Sequence, residues 1–215
     1  MSAPRGWPRL VAITDLSSLA ADVLTARLAK LAAAARPGTL ALLLRDHSVG
    51  AKQRLALGRA LQAVVRENEQ ALWIADRLDL ALLLEADAVH LGEGSVSARV
   101  ARQLLGPEMR ISRAWHAAAV DGVSAEAELS EVDALLVSPV CAPRKGRAAL
   151  GLLPLGALGE QLRARNRACQ LYALGGVSAE NAADCQRAGA TGVAAIGAAL
   201  AADAESLLSA LELLR

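Results

Sequence analysis

Residues 169–199 read CQLYALGGVSAENAADCQRAGATGVAAIGAA, and the alternation inside this stretch decides the fold. CQLYALGG (169–176) is a short, continuous apolar run ending in two glycines, and TGVAAIG (191–197) repeats the pattern. Between them Ser178 precedes an Ala-rich amphipathic run that stops at Gly189, so a helix with a serine N-cap and a glycine stop is predicted. Apolar runs without alternation, separated by helices, are what parallel strands covered on both faces look like.

Six further runs extend the pattern toward the N-terminus: RLVAIT (9–14), TLALLLR (39–45), ALWIAD (71–76), DAVHLG (87–92), RISRA (110–114) and VDALLVSP (132–139). Segments of helical spacing, such as 19–35 and 52–68, lie between them. Eight strand–helix units in this length predict one TIM (β/α)8 barrel domain over residues 1–215. A doubly wound sheet is the competing architecture for such units, but no GxGxxG follows the first run.

Composition narrows the function. The chain has 54% apolar residues, 23 Lys plus Arg against 22 Asp plus Glu, and a net charge of +1. That balance offers no general attraction to nucleic acid or an anionic membrane. No apolar export segment opens the sequence and no window reaches membrane-span length, so a cytoplasmic protein acting on a small molecule is expected. A homo-oligomer is compatible with all of this. Cys141, Cys169 and Cys185 form neither a CxxC motif nor an even framework and yield no redox reading.

In a TIM barrel the site lies where the strands end. The predicted strand ends carry Thr14 and Asp15, Arg45 and His47, Asp76, His90 and Glu93, then Arg113 and His116. All three histidines fall in this set. After the seventh and eighth strands, LGGVS (174–178) and AAIGAA (194–199) put Gly175, Gly176, Ile196 and Gly197 where backbone N–H groups approach an anion closely. A phosphorylated ligand is therefore expected, although the same glycines also suit a tight strand-to-helix turn.

VAITD, LLLRDHS, ADRLDLALLLEADAVHLGE, SRAWH, VDALLVSPV and LGGVSAENAADCQRAGATGVAAIGAA, in that order and spacing, resemble the thiamine phosphate synthase and TenI family of thiamine-biosynthesis barrels. The resemblance implies one of two activities. The synthases condense a pyrimidine diphosphate with a thiazole phosphate, whereas the TenI branch handles the thiazole phosphate alone.

Several positions depart from the synthase pattern. Of its Q-x-R-x-K motif only Arg45 remains, with Leu43 and His47 at the flanking positions. Its Asn-Asp pair appears as Ala75 and Asp76, and Ser95 stands where a second magnesium-binding Asp is expected. Ala114 replaces a serine that contacts diphosphate, while Arg113 and His116 match the TenI spacing. In the basic loop CAPRKGRAALG, Lys145 takes the place of the family's lysine beside Arg144 and Arg147.

The reading that follows is a TenI-type protein that aromatises a thiazole phosphate tautomer without a metal cofactor. His116 would carry the proton, with Arg113 or Arg45 balancing charge, and imidazole suits that task near neutral pH. One alternative is a synthase holding Mg²⁺ through Asp76 and Glu93. The other is a phosphate-ligand-binding or regulatory protein without turnover.

Overall fold

The computed structural model describes residues 6–46, 49–116, 127–144 and 146–215. Eight strands close into a barrel in sequence order: β1 (Leu10–Ile13), β2 (Leu40–Leu44), β3 (Ala71–Ala75), β4 (Ala88–Leu91), β5 (Arg110–Trp115), β6 (Ala134–Val137), β7 (Gln170–Leu174) and β8 (Gly192–Ala195). Every neighbouring pair is parallel, and β8 returns to β1 through Leu10↔Val193 and Val11↔Ala194. The predicted TIM barrel is therefore the observed fold.

Helices α1 (Ala21–Ala34), α2 (Ala51–Glu67), α3 (Leu78–Leu83), α4 (Ala98–Leu105), α5 (Leu152–Arg165), α6 (Ala182–Arg187), α7 (Gly197–Leu200) and α8 (Glu205–Ala210) run between and after the strands. The predicted start of α6 moves. Its N-cap is Asn181, not Ser178, because the Asn181 side chain accepts from the Ser178 N–H (3.0 Å) and donates to the Gly176 carbonyl (2.9 Å). One amide thereby holds the turn after β7 closed and delays the helix.

Strand side chains alternate between two cores. Val11, Ile13, Ala41, Leu43, Trp73, Leu136 and Tyr172 fill the barrel interior, with Trp73 and Tyr172 edge-to-face at 5.8 Å. Leu10, Leu40, Leu42, Leu44, Ile74, Val89 and Ile111 pack outward against the helices. Trp7 meets Trp73 at 6.2 Å, and Arg110 stacks on Trp7, so aromatic rings close the barrel's amino-terminal end. The buried Tyr172 hydroxyl is satisfied by the Pro8 carbonyl at 2.6 Å. With the interior filled by side chains, a ligand has only the opposite, carboxyl-terminal mouth to occupy.

Candidate active site

The inner parity of each strand, carried past its last residue, determines which side chains reach the mouth. Asp15 follows Ile13, Arg45 follows Leu43, Gly92 follows Ala88 and His90, and His116 follows Ser112 and Ala114. His90 lies one layer deeper. It is 8% exposed, and its Nδ1 sits 3.0 Å from the Ser112 hydroxyl.

At the end of β3 the backbone takes a left-handed turn at Asp76 (φ 61°). The Asp76 carboxylate then accepts from the Gly92 N–H at 3.1 Å and from the Ser95 hydroxyl. Beneath it, Arg54 of α2 is 6% exposed and donates to the Arg45 carbonyl at 3.1 Å. Burial pulls the Arg54 guanidinium below its ordinary pKa, and repulsion from Arg77 adds to this, while the Asp76 and Asp46 carboxylates oppose it. Asp15 is held below the usual carboxylate range mainly by the Ser17 hydroxyl and also by the Ser17 N–H and the charges of Arg45 and Arg144. Arg45 and Arg144 thus share one side of the mouth with Asp15.

His116 follows the last residue of β5 in a defined setting. Its Nδ1 is 2.7 Å from the Ser138 carbonyl, and a carbonyl only accepts, so the proton sits on Nδ1. In the neutral ring Nε2 is then the basic nitrogen, and it faces Glu93 Oε2 at 3.8 Å. Arg147 Nη2 donates to both Glu93 oxygens at 2.9 Å, which ties the loop after β4 to the loop after β6.

Arg113 does not join this set. It pairs in register with Leu91 and Leu135, both in the outer core, and so lies on the helix-facing side of β5. Its guanidinium meets Glu128 at 3.5 Å and the Val96 carbonyl at 3.0 Å. The expected charge-balancing role for Arg113 is corrected accordingly, because the strand's pleat turns residues 113 and 116 to opposite faces. Trp115 packs outward as well. Lys145 and His47 lie outside the described residues.

The remaining phosphate candidates follow the adjacent strands β7 and β8. Gly175 (φ 95°) and Gly176 (φ 74°) make the turn after β7, and Ile196 is the N-cap of α7, which begins at Gly197. The β6 loop lies directly against the first pair. A Cβ on Gly175 would come 2.9 Å from Pro139 Cα, and one on Gly176 would come 2.5–2.6 Å from Ala142 Cβ and N.

The two carboxylates of the magnesium alternative have different partners. Asp76 is bound to Gly92 and Ser95, and Glu93 is clasped by Arg147. Among the described residues no group of three or more His, Cys, Asp or Glu stands in a metal-holding arrangement. The donor set left for Mg²⁺ is one carboxylate, Asp76, beside the Ser95 hydroxyl; an ion held there would draw its other oxygens from ligand phosphates and water.

Sequence reasoning missed Arg54, which reads as part of a solvated helix face, and the backbone contact of Ser138 with His116. It also missed Asn181, whose amide closes the turn behind Gly175 and Gly176. No helix among the described residues is long and apolar enough to cross a membrane.

Comparison with known proteins bears on the family. Residues 10–199 match the family model described as thiamine monophosphate synthase. A thiamine-phosphate synthase from Roseiflexus sp. (strain RS-1) is 35% identical over 211 residues, covering 97% of this chain and 85% of that protein. One from Moorella thermoacetica is 36% identical over 168 residues, covering 77% and 76%. Among solved structures, a thiamine phosphate pyrophosphorylase from Pyrococcus furiosus superposes with a TM-score of 0.74 at 25% identity, covering 95% of each chain. These relatives bear the synthase name rather than a tautomerase name, which tilts the comparison toward the synthase alternative. The chain belongs to the thiamine monophosphate synthase family.

Proposed function

We propose that the protein condenses a pyrimidine diphosphate with a thiazole phosphate at the barrel mouth, with diphosphate as the leaving group. The observation that carries this reading is the relationship to thiamine-phosphate synthases, about 35% identity across nearly the whole chain. In it, the N–H groups of Gly175, Gly176, Ile196 and Gly197 hold the thiazole phosphate. Arg45, Arg144 and Arg147 face the diphosphate. Negative charge grows on the leaving oxygens as the bond to carbon breaks, so fixed guanidinium groups aimed at them favour the transition state over the bound substrate. Asp76 is the residue that would hold Mg²⁺, and the ion when bound would neutralise part of the diphosphate charge. Arg45 and Asp76 are parts of the synthase pattern that remain, and the guanidinium of Arg147 is available to a ligand once it leaves Glu93.

A second reading is favoured by His116. Its proton is fixed on Nδ1 by the Ser138 carbonyl, which leaves Nε2 as a base at the mouth. That is the arrangement a thiazole phosphate tautomerase needs: the ring takes a proton from one carbon or nitrogen and returns it to another, with Arg45 compensating charge. Arg113 has no part in it.

The deciding experiment supplies pyrimidine diphosphate and thiazole phosphate with and without Mg²⁺ and follows thiamine phosphate by chromatography. Product formation supports the condensation. Turnover of the thiazole phosphate tautomer alone, with no thiamine phosphate, replaces it with the second reading. Calorimetric binding of thiazole phosphate without either turnover would leave a ligand-binding protein.

A further inference from the structure

Cys141 and Cys185 are 44 positions apart in sequence, yet their sulfurs lie 3.6 Å apart. Cys141 sits in the loop after β6 and is partly exposed, whereas Cys185 on α6 is fully buried. Cys169, at the start of β7, is 5% exposed, and its thiol points to the Gln170 carbonyl. Two of the three thiols are therefore paired in space and the third stands apart.

We infer that Cys141 and Cys185 form an oxidisable dithiol, and that their disulfide distorts the glycine cup at the barrel mouth. The consequence for ligand rests on the phosphate-cup reading given above; the bond itself does not. A disulfide needs sulfurs at about 2.0 Å, so closing the gap from 3.6 Å draws the 139–142 loop and α6 toward each other. Both sides are hydrogen-bonded to the turn after β7. Cys141 N–H donates to the Gly175 carbonyl at 2.8 Å and Val140 N–H to Leu174 at 2.9 Å. Ala142 already fills the space where Gly176 lacks a Cβ. On the other side, Asn181 connects α6 to the Gly176 carbonyl. Both partners of the bond are thus fastened to Gly175–Gly176, and drawing them together shifts the N–H groups between them.

The chemistry is ordered by access. A hydroperoxide oxidises the Cys141 thiol to a sulfenic acid and is itself reduced to water or an alcohol. The Cys185 sulfur then attacks Cys141 Sγ, the S–O bond breaks, and hydroxide departs with the Cys185 proton as water. Two electrons pass from the two thiols to one peroxide. Cys141 is partly exposed and meets the peroxide first, while Cys185 is buried with its sulfur against Cys141 Sγ and serves as the resolving partner.

The test treats the reduced protein with stoichiometric hydrogen peroxide and maps peptides without reductant. A Cys141–Cys185 cross-link, reversed by dithiothreitol, with Cys169 still a thiol, is the expected result. Cys141→Ser and Cys185→Ala should each lack it. A Cys141 that proceeds to sulfinic acid, or that links to a second chain, overturns the pairing. Affinity for inorganic phosphate and for thiazole phosphate is then compared between oxidised and reduced protein. A loss of about tenfold or more is expected, the equivalent of about one hydrogen bond to a charged group. Equal affinity in both states overturns the link to the cup. A reduced protein that binds neither probe counts against the phosphate-cup reading, while the peptide map still decides the disulfide.

Discussion

Gly176→Ala tests the junction on which the mouth is built. Gly176 has φ of 74°, a left-handed conformation, and its missing Cβ would lie 2.5 Å from Ala142 Cβ and 2.6 Å from Ala142 N. A side chain in that backbone region costs about 1–2 kcal/mol. The second contact is with backbone nitrogen, which a rotamer change does not relieve. Ala142 itself is secured because its N–H and that of Cys141 both reach the Gly175 carbonyl. Overpacking of this kind adds about 1–3 kcal/mol. The sum, about 2–5 kcal/mol, is a large share of a typical stability of roughly 5–15 kcal/mol. At about 2–4 °C per kcal/mol for a chain of this size, Tm should fall by roughly 4–20 °C. Thermal unfolding followed by circular dichroism measures it. The companion is Gly197→Ala, where an added Cβ meets nothing within 4 Å; its Tm should stay near that of the parent. A Gly176→Ala protein melting within about 2 °C of the parent would refute the tight packing of the β6 loop on the cup.

His116→Gln should lower tautomer turnover of thiazole phosphate by about 10²–10⁴-fold while leaving its Kd unchanged, if proton transfer is the reaction; turnover kept at the parent rate would remove His116 from that role. Arg113→Met breaks a half-buried contact with Glu128, which also accepts from Ala98 N–H, so Tm should drop with kcat and KM untouched; a change confined to KM would return Arg113 to the site. Arg147→Ala loses an exposed ion pair of small value to stability, below about 1 kcal/mol, and should instead raise KM for the anionic substrate in steady-state assays. Cys169 is pushed up to about 12 by burial, so above the ordinary thiol range the unfolded chain has released a proton that the folded chain keeps. Stability should then fall from about pH 9 toward pH 12, and Cys169→Ala should flatten that part of a urea-denaturation series against pH; an unchanged slope would contradict the assignment.

The fold was legible because the barrel's strands are covered on both faces. All eight apolar runs are strands, and each begins and ends within two residues of the observed limits. Helix α6 shows where local reading stops. Ser178 is a good cap by type, but Asn181 wins because its amide satisfies both the Ser178 N–H and the Gly176 carbonyl. The sequence offers both residues, and only the turn geometry chooses between them.

The same double burial that makes strands easy to find makes their faces hard to tell apart. A half-buried strand alternates polar with apolar residues, but in RISRAW both sides need cover, and the polarity signal disappears. Arg113 and His116 therefore look equivalent at the end of β5 although one faces Glu128 and the other the mouth. Size does not separate the faces either: the inner positions hold Ala88 and Ala114 but also Ile13, Leu43, Trp73, His90 and Tyr172, while Ala12, Ala173 and Ala195 lie on the outer face. What separates Arg113 from His116 is register, since Arg113 stands beside Leu91 and Leu135 of the outer core, and register follows from how neighbouring strands stagger when the barrel closes. The Glu93–Arg147 clasp and the approach of Cys141 to Cys185 depend on the same closure, since each joins loops or helices that are distant in sequence.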